Sequence, residues 1–166
     1  MCTTTSRHRE GVSVAQGSIT DSDIAGLVRR SADANAALMC GDVDGYLALV
    51  QHAPDYTLMA PFGGAPTRGF DMSSGYLAAL AHFFRAGTTD LELVQAYASG
   101  DMVVLVVIER QCVAVGGLPA QDWSLRVTLV WRRDGAGWQL VHRHADPLVK
   151  GISLERAAAL AGDPSV

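Results

Sequence analysis

The 166-residue sequence lacks the features that mark several classes of protein. It has no run of about 18 or more apolar residues, so no membrane-spanning helix is expected. It also has no cluster of lysine and arginine, and its net charge is −4. Binding to nucleic acid depends on basic side chains that meet phosphates, so this balance disfavours it. We therefore expect no membrane partner and no nucleic-acid partner.

Cysteine is scarce as well. The three cysteines, Cys2, Cys40 and Cys112, are widely spaced, which fits neither a Cys-x-x-Cys zinc pattern nor a disulfide framework. We interpret them as reduced thiols of a cytoplasmic protein, and we expect Cys40 and Cys112 to be buried and unreactive. The glycine-rich loop at Gly63 lacks the Gly-Lys-Ser/Thr ending of a phosphate-binding loop. The sequence therefore indicates no metal and no cofactor.

The residues that are present divide the chain into three parts. Residues 1–18 are polar, aperiodic and without the apolar core of a secretory signal, which predicts a disordered tail. Residues 19–150 are predicted to form one domain, because 49% of the chain is hydrophobic and a single domain of this length can bury a core. Residues 151–166 are predicted to be a short C-terminal helical tail.

The order of periodic segments within the domain predicts an α+β fold. Helical spacing and capping residues come first, and four strands with short connections follow, as in an antiparallel meander. Helices are predicted over 21–40, 42–50 and 73–85, a short strand over 56–60, and the four strands over 91–98, 102–115, 121–132 and 137–145.

The last two predicted strands form a hairpin with contrasting faces, since strand side chains alternate between the two sides. One face is apolar throughout and carries Trp123, Leu125, Val127, Leu129 and Trp131. The other face mixes large apolar groups with polar ones and carries Arg126, Thr128, Trp138, His142 and His144.

The register of this hairpin decides which polar groups meet. A five-residue connection between Arg132 and Trp138 would place Arg126 opposite His144. The alternative register would instead pair Trp131 with Trp138. We favour the five-residue connection, because Gly135 and Gly137 can supply the left-handed residue of a bulged turn.

Two orientations of the hairpin remain open from the residues alone. In the first, the mixed face turns towards the helices and lines a cavity, and the apolar face contacts a second copy of the chain. In the second, the apolar face packs beneath the helices of a monomer, and the polar side chains of the mixed face are solvated.

The hairpin motif also resembles a known family. An Arg-x-Thr strand at 126–128, an Arg-Arg-Asp-Gly turn at 132–135 and Trp-x-Leu-Val-His-x-His at 138–144 resemble the SnoaL-like and ketosteroid-isomerase-like branch of the nuclear transport factor 2 (NTF2) superfamily. They are also similar to the association domain of calcium/calmodulin-dependent protein kinase II. The resemblance implies that residues 19–150 are an NTF2-like domain. Its fold would be a cystatin-like cone, with N-terminal helices packed in a curved antiparallel sheet round a deep cavity.

With this resemblance we adopt the first orientation as our hypothesis for the site. His144 is the predicted general acid or base, Arg126 the electrostatic clamp and Asp146 a carboxylate on the same face. Both His144 and Arg126 have a purely structural alternative, a hydrogen bond or an ion pair. The adjacent residues Glu109 and Arg110 cannot both face the cavity, and we favour Arg110 on the resemblance. The predicted pocket lining is His142, Thr128, Arg110, Trp138, Tyr56, Met59 and Phe83.

These residues predict a small-molecule ligand with an apolar body and a carbonyl or carboxylate group. If the protein is an enzyme, the expected class is cofactor-free isomerase, cyclase or hydrolase chemistry. The alternative is a non-catalytic binding or oligomerisation module with a vestigial or regulatory pocket. It is favoured by the lack of an assignable set of base and oxyanion donors. We expect a homodimer through the face that carries Trp123, Leu125, Val127, Leu129 and Trp131.

Overall fold

The computed structural model describes residues 18–135 and 137–162, so residues 1–17 of the predicted tail lie outside the described part. The helices are α1 (Asp21–Met39), α2 (Val43–Leu49), α3 (Ser74–Phe83) and α4 (Leu154–Ala161). The strands are β1 (Gln51–Met59), β2 (Thr67–Arg68), β3 (Phe84–Ser99), β4 (Met102–Val115), β5 (Gln121–Asp122), β6 (Leu125–Asp134) and β7 (Gly137–Pro147). The predicted α+β class is confirmed.

Capping residues set the start of the first helices. The Thr20 hydroxyl accepts a hydrogen bond from the Asp23 amide, and the Asp23 carboxylate accepts one from the Thr20 amide, so a complete capping box precedes α1. The predicted cap, Asp21, is instead the first helical residue. Helix α1 ends before Gly41, whose φ of 79° suits glycine. Asp42 then caps α2 by accepting from the Gly45 amide.

The strands form one curved and unclosed sheet in the order β2-β1-β7-β6-β4-β3, and β5 pairs with β4. The predicted meander gives the antiparallel neighbours β3, β4, β6 and β7. Strand β1 lies parallel to β7, which returns the early part of the chain to the end of the meander. Register shifts interrupt β3 twice, and such bulges bend a strand and increase its twist.

The core lies between α1 and one side of this sheet, which we call the inner face. It contains Leu27 and Ala34 of α1 and alternate residues of the central strands, namely Val103, Leu105, Val107, Leu125, Val127, Leu129 and Trp131. The hypothesis that this apolar side of the hairpin contacts a second copy is therefore wrong. Within the described residues, the helices pack on the apolar side of the hairpin, because its burial stabilises the fold most.

The mixed side of the hairpin is consequently the outer face of the sheet, and its register also differs from the prediction. Asp134 pairs with Gly137, so the connection is tighter than expected, and Gly135 has a φ of 56°. A bulge in β7 then shifts the pairing. Arg126 lies opposite Asp146, and Thr128 lies opposite His144. The predicted pairing of Arg126 with His144 is wrong by two residues.

The exposure of Cys112 follows from its position on the outer face. Cys112 is exposed because it lies at an even-numbered position of β4, where side chains point away from the helices. Cys40 is exposed at the end of α1, where its thiol donates to the Gly87 carbonyl at 3.4 Å. The prediction that these two thiols are buried is wrong. No helix in the described ranges is long and apolar enough to cross a membrane.

Candidate functional site

A cavity of about 370 Å³ opens between the helices and the inner face of the sheet. Its walls come from the end of α1, from α2 and α3, and from β1, β4, β6 and β7. Most of the lining is apolar, and aromatic side chains contribute much of it. Phe62 and Tyr76 are 57% and 39% exposed and mark the side where the cavity meets solvent. A largely apolar cavity with few polar groups is the usual form of a small-molecule site.

The strongest polar feature of the lining is Arg143 on β7. Its two terminal nitrogens donate to the two carboxylate oxygens of Glu109, both at 2.7 Å. Glu109 is 1% exposed, and β6 lies between the strands that carry the two partners. Burial opposes the charge of Arg143, but the Glu109 carboxylate outweighs it, so the pKa of the guanidinium lies above its usual value. The remaining N–H groups of Arg143 are donors that a ligand could use.

The hydroxyls of Tyr46 and Tyr56 lie within electrostatic range of Arg143, and Tyr76 lies within range of both tyrosines. Burial raises the pKa of Tyr46 above its usual value and that of Tyr56 to about 12, while the positive charge of Arg143 acts in the opposite direction on both. Burial also raises the pKa of Tyr76. All three hydroxyls therefore stay protonated near neutral pH. The cavity therefore has tyrosine hydrogen-bond donors in the same lining as the partly buried cation of Arg143.

His52 connects the polar residues of the cavity with a neighbouring surface groove. Its Nε2 atom lies 2.9 Å from the Tyr46 hydroxyl, and its ring stacks on Phe70 at 3.9 Å between centroids. Burial lowers the pKa of His52 to about 4, so the imidazole is neutral at physiological pH. Phe70 separates the cavity from a surface groove of about 800 Å³, in which His52 lies. The His52–Tyr46 hydrogen bond therefore crosses the wall between groove and cavity.

An amide network supports the opposite wall. The Asn35 side chain donates to Gln111 at 2.9 Å, and the Gln111 side chain donates to the Trp123 carbonyl at 3.1 Å. Gln111 and Trp123 both line the cavity. This chain of bonds satisfies buried polar groups and fixes the end of α1 against β4, which holds the wall in position.

The predicted catalytic residues lie together, but on the outer face of the sheet and outside the cavity. The carboxylate of Asp146 is 3.6 Å from His144 Nε2 and 3.7 Å from Arg126 Nη2. The side chains of Arg126, Asp146 and His144 are 61%, 48% and 41% exposed. The expectation that this side of the hairpin lines the cavity is wrong, because the burial of the apolar side decides the orientation. The catalytic role of the three residues stays a prediction.

The predicted pocket residues divide between these regions. Tyr56 and Phe83 line the cavity, as expected. Trp138 lies in the surface groove, with the Arg133 guanidinium 4.9 Å from the centre of its ring. The remaining predicted residues belong to the outer face and do not line the cavity, namely Thr128, His142, Arg110 and Met59. His142 is hydrogen-bonded to Thr57, and Arg110 is paired with Glu92. Met59 is 41% exposed.

Sequence reasoning missed Arg143, Tyr46 and Gln111, which line the cavity, and also His52. It favoured Arg110 over its neighbour Glu109 as the inward-facing residue, whereas Glu109 is the buried one. One signal was available. The buried side chains of β4 are apolar at Val103, Leu105 and Val107, polar at Glu109 and Gln111, and apolar again at Val113. Polar residues within an apolar alternation indicate a buried polar site.

The fold is similar to the folds of NTF2-like and cystatin-like proteins of known structure. A Salmonella enterica NTF2-like superfamily protein is 17% identical, with a TM-score of 0.63 over 79% of this chain and 94% of that one. A Nostoc punctiforme protein with a cystatin-like fold is 20% identical, with a TM-score of 0.60 over 79% and 95%. The C. elegans CaMKII association domain is 15% identical, with a TM-score of 0.56 over 75% and 95%. These similarities establish the fold alone.

The family follows from the sequence match. Residues 30–149 match the SnoaL-like domain family, and the chain belongs to that family. A comparison with curated proteins gives no match. The predicted family resemblance is therefore confirmed.

Proposed function

We propose that the cavity binds a small apolar molecule with a carbonyl or carboxylate group. The observation that carries this proposal is the partly buried Arg143 guanidinium, which lies with protonated tyrosines in a largely apolar lining. The apolar body of a ligand would displace water from the aromatic walls, and its oxygen would accept hydrogen bonds from Arg143 and a tyrosine. Because Glu109 neutralises Arg143, a neutral carbonyl suits the site better than a second carboxylate.

The reaction class we propose for this site is acid–base chemistry without a cofactor, as in an isomerase, cyclase or hydrolase. Tyr46 is the group best placed for it, since its hydroxyl is buried beside the cavity and is held by His52 at 2.9 Å. When His52 carries its proton on Nε2, it donates to the Tyr46 oxygen, and the single O–H of Tyr46 is then available to an oxygen on which charge develops. This assignment replaces His144 with Tyr46 as the proposed proton donor.

If the cavity binds such a ligand, removal of the Glu109–Arg143 ion pair should weaken the binding. Wild-type protein should bind cyclohexanone or cyclohexanecarboxylate, and the double variant Glu109→Leu/Arg143→Met should bind the better of the two about tenfold or more weakly. A lost charge-assisted hydrogen bond contributes about 1.5–3 kcal/mol, which corresponds to that range. Isothermal titration calorimetry measures the change.

A matched control is the bidentate pair Arg132–Asp55, which has the same geometry at 2.8 and 3.0 Å but lies on the surface. The variant Asp55→Leu/Arg132→Met should bind the probe as wild type does. Equal binding by wild type and the Glu109/Arg143 double variant would refute the proposal. Loss of binding in His144→Ala alone would instead move the site to the outer face of the sheet.

The second candidate function is assembly through the outer face of the sheet. Val104, Val106 and Val130 lie side by side there and are only partly buried. Tyr97 and Met102, at the edge of this patch, are 60% and 36% exposed. Exposed apolar surface of this kind is typical of an interface between protein chains. We propose a homodimer through this patch, in place of the inner face.

Charge placed in the valine patch should separate such a dimer. We expect wild-type protein to sediment as a dimer at micromolar concentration and Val106→Lys to sediment as a monomer, because a buried unpaired ammonium opposes association. The control is Leu118→Lys in the β4–β5 loop, where the leucine is already 54% exposed. A monomeric wild type, or a Val106→Lys variant that remains dimeric, would contradict this interface.

A further inference from the structure

The indole N–H of Trp131 is a buried donor without a hydrogen-bond partner among the described residues. Trp131 is 1% exposed and lies in the centre of the core, so bulk water does not reach it. Buried N–H groups almost always have a partner, and one that is left unpaired costs free energy. This donor is not part of the cluster that lines the large cavity.

Trp131 forms part of the wall of a separate small chamber of about 50 Å³. The chamber and the large cavity share Leu38, Tyr46 and Arg143, so the two spaces are neighbours. A water molecule needs roughly 10–15 Å³ of such volume together with polar partners. The chamber is therefore large enough for one oxygen-centred group, but it is much too small for a whole ligand.

Ser31, Asn35, Tyr46 and Arg143 line the chamber, and each already makes a hydrogen bond to another group. Trp131 and Glu109 are therefore the polar residues that select the kind of group. Glu109 contributes a carboxylate, which only accepts hydrogen bonds, and two of its lone pairs are already used by Arg143. Trp131 contributes an N–H group, which only donates. A carbonyl oxygen would leave Glu109 without a further donor, and a carboxylate would be repelled by Glu109. A hydroxyl group can accept from Trp131 and donate to Glu109 at the same time.

We propose that this chamber binds a hydroxyl oxygen, which accepts from Trp131 and donates to Glu109. In the free protein the hydroxyl belongs to a water molecule. In the complex it belongs to an alcohol group at the inner end of the ligand, and this second part rests on the proposed function of the large cavity. The preferred ligand is then an apolar alcohol, or a carbonyl compound that also carries a hydroxyl group.

The water is tested by nuclear magnetic resonance on protein with ¹⁵N-labelled tryptophan. Trp131→Phe identifies the Trp131 indole signal by its disappearance, and Trp138→Phe, in the surface groove, is the matched control. We expect a rotating-frame Overhauser effect between water and the Trp131 indole proton in the free protein. An indole proton that shows no contact with water in the free protein, and none with an alcohol when one is added, overturns the proposal.

The alcohol is tested with cyclohexanol, cyclohexanone and cyclohexanecarboxylate as probes. Cyclohexanol should shift the Trp131 signal and remove its contact with water, and Trp131→Phe should bind cyclohexanol about three- to tenfold more weakly, which is the range of one hydrogen bond. The affinity for cyclohexanone should not change in this variant. Equal affinity for cyclohexanol in wild type and Trp131→Phe overturns the alcohol site, even if cyclohexanone still binds and the function of the large cavity stands. A contact with water but no binding of any probe supports the water site and refutes the proposed function.

Discussion

Replacement of Glu109 by Gln should lower the free energy of unfolding by about 3–5 kcal/mol, which is the range measured when one partner of a buried ion pair is removed. The reason is that Arg143 would keep its charge in the interior without the carboxylate that holds both terminal nitrogens at 2.7 Å. Glutamine has the same shape as glutamate, so packing would change little. Urea denaturation, followed by tryptophan fluorescence, measures the difference.

Two further variants show whether the loss comes from the unpaired charge. Glu109→Leu/Arg143→Met removes both charges and should recover most of the lost stability, because hydrophobic replacement of a whole buried pair is often neutral or better. Asp55→Asn breaks the surface pair with Arg132, which has the same two-bond geometry, and should change stability only slightly. If Glu109→Gln were no more destabilising than Asp55→Asn, Arg143 would not depend on its partner.

Much of the fold follows from local residue patterns that can be recognised in the sequence. The predicted bounds of 102–115 agree with β4 at both ends, and those of 21–40 differ from α1 by a single residue. Alternation also identified the two faces of the hairpin. Its orientation could not be read from alternation, because both faces contain large apolar groups. The larger apolar area of the Leu125–Trp131 face decides the orientation. A comparison of the apolar areas of the two faces requires only the sequence.

The error in register has a more local cause. Periodicity fixes parity along a strand but not the length of a turn, and a bulge changes the count again. In β7 the bulge lies between Leu140 and His142 and shifts the pairs beyond it. Arg126 therefore lies opposite Asp146. No residue pattern at this point distinguishes a bulged strand from a regular one.

The cavity cluster was missed for a different reason. Glutamate and arginine are almost never buried unless they are paired, so the default expectation places both at the surface. Glu109 and Arg143 are 34 positions apart and lie on strands separated by β6. Their pairing depends on the strand order, which the sequence does not state. The link between Tyr46 and His52 likewise depends on how α2 meets β1.

His52 gives the second large effect, a loss of stability in mild acid. Burial lowers the pKa of His52 to about 4 in the folded protein, whereas an unfolded histidine titrates near about 6.5. Between these values the unfolded chain binds a proton that the folded chain does not, so stability is complete above about pH 6.5 and falls as the pH falls towards 4. The full difference corresponds to about 3 kcal/mol, and partial exposure of the ring reduces it to roughly 2 kcal/mol.

The measurement is the free energy of unfolding in urea at about pH 7 and about pH 4.5, compared between wild type and His52→Gln. Carboxylates with lowered pKa values, such as those of Asp23 and Asp122, also titrate in acid, but they contribute equally to both proteins and cancel in the difference. The variant should be less stable than wild type near neutral pH, where the contact with Tyr46 is lost, and should lose less on acidification. His82→Gln, at an exposed position of α3, should follow the wild-type profile. Parallel profiles for wild type and His52→Gln would contradict the lowered pKa of His52, because they would mean that burial does not hold the imidazole neutral in mild acid.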